Sequence, residues 1–111
     1  MFLRSLYHRI MASKLELIDI KRASGKSSMF AAYMVKFEGR AIGFLEKYRN
    51  TRTETHPWKA FGVKPSVTEP GCFQYDPSFF FTFYGADAKA RAIMSLLAED
   101  NRRKAMEAMN A

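Results

Sequence analysis

The chain holds one cysteine, no long apolar run and few residues in metal-binding spacings. Cys72 has no intrachain partner, so a disulfide framework is excluded and a reducing, cytoplasmic setting is expected. No apolar stretch approaches the roughly 20 residues that cross a bilayer as a helix, which argues against integral membrane association. The two histidines, His8 and His56, stand far apart, and neither HxxxH nor CxxC nor a carboxylate-rich cluster occurs, so neither a metal nor a cofactor is expected. Gly25-Lys26-Ser27 resembles the end of a phosphate loop, but Ile20 stands where that loop needs its first glycine, and a strand follows instead of a helix. With Cys72 in a loop and no base in sequence to activate it, the chain reads as a binding protein, not an enzyme.

Acidic residues are scarce in the first part of the chain. Residues 1–64 carry thirteen Lys and Arg against five Asp and Glu, whereas residues 65–111 carry five against six, so the whole excess of +7 comes from the first part. Such asymmetry implies a basic surface for a polyanion, whether nucleic acid, an acidic protein or an anionic membrane; its plain counterpart is charge spread for solubility. The first fourteen residues contain Arg4, His8, Arg9 and Lys14 and no acid. Three readings fit them: a short amphipathic helix built on Leu3, Leu6, Tyr7 and Ile10, an extension before a start at Met11, or an organellar targeting segment.

What is present is enough for one folded unit. A chain of 111 residues with 48% apolar and 14% aromatic content buries a core without disulfides, and there is neither a repeat nor a second domain, so residues 15–111 are read as a single α+β domain. Residues 15–22 and 29–38 alternate as strands, the second with Ala31, Tyr33, Val35 and Phe37 on one face. Glu38-Gly39-Arg40 reads as a tight hairpin turn into a strand over 41–50. After Pro57 a short strand around Trp58 to Val63 is expected at an edge or with a late start. Residues 65–77, with three prolines, read as loop. Residues 78–84 then alternate Phe79, Phe81 and Phe83 against Phe80, Thr82 and Tyr84, an aromatic strand apolar on both faces and therefore expected at the centre or covered twice.

Gly85 ends that strand and Asp87 favours a helix start, with Ala86, Ala90, Ile93, Met94 and Leu97 as its apolar stripe. Arg102, Arg103 and Lys104 suit the helix C-terminus, beyond which residues 105–111 either continue or fray. Most methionines read as core filler, with Met106 and Met109 as candidates for a partner surface. The expected fold is an antiparallel meander of four to five strands against one long C-terminal helix.

The candidate site is a basic and aromatic run: Lys47, Tyr48, Arg49, Arg52, Trp58 and Lys59, with His56 and Phe61 among them. A second group, Lys21, Arg22 and Lys26, lies in the first turn. Cations that follow phosphates and rings that stack on bases are what single-strand binding requires, each stack contributing about 1–3 kcal/mol. Trp58 alone reads more readily as core, while Arg49 and Arg52 fit no inward strand position. The expected function is a small nucleic-acid-binding module, DNA or RNA, directed to single strands or backbone. The alternative is an adaptor or inhibitor that meets an acidic protein, and a homodimer is compatible with either. A membrane-surface role through residues 1–14 is the third reading. Whether Phe80 and Tyr84 form an exposed platform, for bases or for a second subunit, turns on what covers the face opposite the helix.

Overall fold

Alternation and one tight turn set the sheet. The computed structural model describes residues 14–20, 29–49 and 57–110. Five strands, β1 (Leu15–Asp19), β2 (Met29–Phe37), β3 (Arg40–Tyr48), β4 (Trp58–Pro65) and β5 (Phe73–Phe83), precede one helix, α1 (Ala88–Asn110). The strands lie in the order β1-β2-β3-β4-β5, each antiparallel to the next, which is the expected α+β meander with its C-terminal helix. Between β2 and β3, Glu38 and Gly39 both take positive φ, 53° and 79°, the backbone that a two-residue hairpin turn with native twist demands.

Small residues let the helix approach. Gly43 of β3 lies directly beneath Leu96, so closely that a Cβ added there would sit 2.5 Å from Leu96 Cδ2 and 2.6 Å from the Phe61 carbonyl oxygen. Ala88, Ala92 and Leu96 face the sheet and complete a core with Val35, Phe37, Ile42, Leu45, Trp58 and Ala60. Burial of an aliphatic side chain such as Leu96 contributes about 1.5–3 kcal/mol, so this one seam anchors the helix. Polar bonds secure its middle. Arg40 reaches Asp100 with two hydrogen bonds of 3.0 and 3.1 Å, and Arg103 donates to the Val63 carbonyl at 2.9 Å.

Several expectations need correction. The helix buries Ala88, Ala92, Leu96 and Asp100; of the expected stripe Ile93 and Leu97 do pack against the core, while Ala86, Ala90 and Met94 are exposed, so the buried face is rotated from the expected one. The cause is steric: alanines on the helix and Gly43 in the sheet allow a closer approach than a stripe of larger side chains would. Arg102, Arg103 and Lys104 lie inside the helix, which continues to Asn110 with its last turns exposed. The strand expected over 78–84 begins at Phe73, because Pro77 is accommodated by a register shift between Phe61 and Gly62 of the neighbouring strand. β4 starts late, directly after Pro57, yet is interior, and the aromatic β5 is an edge strand rather than a central one. Among the described residues, no helix is long and apolar enough to cross a membrane.

Candidate nucleic-acid interface

A meander reverses at every strand. One end of the sheet therefore gathers the ends of β3 and β5 and the starts of β2, β4 and α1. There Tyr48 N donates to Pro57 O at 2.9 Å, which closes β3 onto β4. Pairing then divides the candidate residues between two faces. Lys47 opposite Trp58 shares the helix side with Leu45 and Gly43, whereas Lys59 opposite Glu46 and Phe61 opposite Phe44 lie on the reverse face. The run read as one site is thus two adjoining surfaces around one end.

On the helix side, Arg49 sits 4.5 Å over the Phe30 ring, and Lys47 lies 5.8 Å from Phe30 and 5.6 Å from Trp58. Lys89, from the first turn of α1, approaches the same Trp58 ring at 5.6 Å. Trp58 itself is only 8% exposed and stacks on Tyr33 at 6.2 Å, so its place is the core and its faces are occupied. At the corner, Arg91 lies 5.6 Å from Phe83, pairs with Asp87 at 3.0 Å and donates to the Tyr84 carbonyl.

On the reverse face, Lys59 sits 4.5 Å over Tyr48 and 5.8 Å from Phe80. Behind it an aromatic layer links Phe44 to Tyr75 at 4.3 Å, Tyr75 to Phe61 at 4.7 Å and Phe61 to Phe80 at 5.0 Å. The Glu46 carboxylate, in a residue 3% exposed, accepts hydrogen bonds from Tyr48 Oη at 2.5 Å and Tyr75 Oη at 2.8 Å. These bonds fix Tyr48 beneath Lys59. At the rim, Phe80 is 44% and Tyr84 58% exposed.

The two ends of the molecule treat their cations differently. At the far end Lys14 pairs with Glu38, Arg40 and Lys104 with Asp100, Arg102 with Glu99, and Arg103 with Glu99 and Asp76, while Lys36 and Lys64 form no salt bridge among the described residues. Hydrogen bonds from Arg102 and Arg103 hold the Glu99 carboxyl below its usual range. Burial raises that of Asp100, but the bonds from Arg40 and Lys104 outweigh it and the net displacement is downward. Asp76 is lowered chiefly by the hydrogen bonds from Ser78. At the first end, Lys47, Arg49, Lys59 and Lys89 form no salt bridge with any carboxylate among the described residues, and every cation–ring pair of those residues is found there. A cation over a ring gains about 0.5–1 kcal/mol at an exposed site and keeps its charge, whereas one in an ion pair presents little net field.

Arg52 and His56, with Lys21, Arg22 and Lys26, lie outside the described residues. Both connections that carry them in sequence, from Ile20 to Met29 and from Arg49 to Pro57, have their described ends at this same end of the sheet. Sequence reasoning did not place Phe30, Lys89 and Arg91 in the site. An available signal was the helix start at Asp87, since a helix that begins where β5 ends must carry its first cations to that end. Among the described residues no group of three or more His, Cys, Asp or Glu is placed to hold a metal ion. Compared with protein-family models, curated proteins and solved structures, the chain matches none of them.

Proposed function

We propose that the protein binds single-stranded nucleic acid at the end of the sheet where β3 and β5 finish, through the backbone and with little base preference. The observation that carries this reading is the contrast between the ends among the described residues: at one, Lys47, Arg49, Lys59 and Lys89 rest on rings and only Arg91 pairs with a carboxylate; at the other, most cations, Lys36 and Lys64 excepted, are in ion pairs. Lys47, Arg49 and Lys89 on the helix side and Lys59 on the reverse would meet phosphates of a strand that rounds this end, and the exposed rings of Phe80 and Tyr84, on the face of Lys59, offer faces on which unpaired bases stack. Exposed rings beside Lys59 favour a ligand with bases over an acidic protein, whose carboxylates would use only the charge. Duplexes, with their bases already stacked, gain nothing from the rings. The exposed free thiol of Cys72 supports a reducing, cytoplasmic setting for this activity.

Fluorescence anisotropy with labelled single-stranded DNA, duplex DNA and single-stranded RNA of equal length, at low and moderate salt, tests the proposal. Single strands are expected to bind more tightly than duplex, with affinity that falls steeply as salt rises. Absence of binding at low salt would end this reading. Retention of an acidic protein from nuclease-treated source lysate, with no affinity for nucleic acid, would replace it by the adaptor alternative.

A further inference from the structure

One side of β5 pairs with β4; on its other side, among the described residues, no backbone group is bonded to another strand. Free edges recruit strands, and proteins blunt them with lysine, proline, bulges or shortness. β1, the other edge, is five residues long and carries Glu16 and Asp19. β5 has its proline and register shift early, at Pro77, and past that point no charged residue occurs from Ser78 through Ala86. In that stretch Phe80, Phe81 and Tyr84 are 44%, 53% and 58% exposed.

We infer that two copies of the chain join β5 to β5, antiparallel about a two-fold axis at Phe81, to form one continuous ten-stranded sheet. An axis normal to the sheet keeps both helices on the same side, so residues directly opposite one another must share a face. Centring on Phe81 meets that condition. Phe81 then faces its own counterpart and Phe79 faces Phe83 on the helix side, while Phe80 faces Thr82 and Ser78 faces Tyr84 on the reverse. This register uses the whole uncharged stretch 78–84, opposes no like charges and leaves Pro77, which has no N–H to donate, outside the pairing. A second copy supplies both the missing backbone partners and matching aromatic neighbours in a register that its own symmetry fixes, whereas nucleic acid satisfies only the rings. Edge pairing covers ring edges and leaves their faces open, so the two cationic ends come to flank one shared row of Phe80 and Tyr84 rings. With the faces of Phe80 and Tyr84 left open, the ring area covered is less than roughly 300 Å² per copy. With a seven-residue strand edge this makes a small interface, below the roughly 800 Å² per partner of stable complexes, so association in the micromolar range is expected.

The dimer does not depend on nucleic-acid binding, and sedimentation of the full chain without ligand tests it. Between about 1 and 100 µM the mass should rise from 12.8 kDa towards twice that value. Phe81→Lys, at an exposed position, should keep the circular dichroism and melting of the parent and remain monomeric. In a Cys72→Ser background, Phe81→Cys should cross-link to itself under mild oxidation, since opposed Cβ atoms lie about 4.5–5.5 Å apart, and Phe73→Cys should not. A chain that stays monomeric throughout, a dimer untouched by Phe81→Lys, or equal cross-linking from both cysteine positions would overturn the inference. Monomers that nonetheless bind single strands would remove the dimer and leave the proposed function standing.

Discussion

Gly43 decides how near the helix can come. Its missing side chain admits Leu96, and a methyl group there would meet both the Leu96 side chain and the Phe61 carbonyl. Gly43→Ala should therefore destabilise the fold by about 1–3 kcal/mol, read as a lower urea midpoint with an unchanged slope. At the ion-paired end, Asp76, Glu99 and Asp100 are all displaced downward. Carboxyls so displaced stabilise the fold fully above their unfolded values, 3.8 for aspartate and 4.5 for glutamate, and lose that contribution as pH falls through the lower folded values. Thermal stability should accordingly hold level above about pH 5 and decline below pH 4, and Asp100→Asn should weaken the fold at neutral pH and make the acid decline shallower. A titration of melting temperature against pH in both proteins measures this.

At the scale of elements, strands β2 and β3 and their turn were legible because the alternation of β2 and a glycine at the turn carry the information locally. Glu38 is the cost of that turn, a non-glycine residue at φ 53°. Its exposed pairing with Lys14 at 3.6 Å is worth at most about 1 kcal/mol, less than the left-handed backbone costs a residue other than glycine or asparagine. Glu38→Asn should raise stability by about 0.5 kcal/mol in chemical denaturation. The helix face was legible only in part. Ala88 and Ala92 have too little hydrophobicity to mark a stripe, and the strands that receive them are distant in sequence. β5 was misplaced for a related reason: two aromatic faces look like double coverage when neighbours are unknown, and the order of strands is a property of pairing, not of composition. Within the site, the run from Lys47 to Lys59 was read as one surface, and strand pairing divides it between two faces. Which cations would find rings and which would find carboxylates depended on the tertiary arrangement.

For the whole molecule, the sheet and helix set most of the ion-paired cations at one end and the ring-supported cations at the other. The far end locks the helix to the strands with paired ions, and the end near Lys47 and Lys59 keeps its cations on aromatic supports. The most direct test is the salt dependence of single-strand affinity in three proteins: the parent, a variant with Arg49→Ala, Lys59→Ala and Lys89→Ala, and a control with Lys64→Ala, Arg102→Ala and Lys104→Ala. Each phosphate that loses its cation should flatten the slope of log K against log salt by about 0.7, so the first variant should be flatter by about 2 and bind far more weakly, with the control close to the parent. Equal weakening in both variants, or none in the first, would contradict a binding site at the end where cations rest on rings.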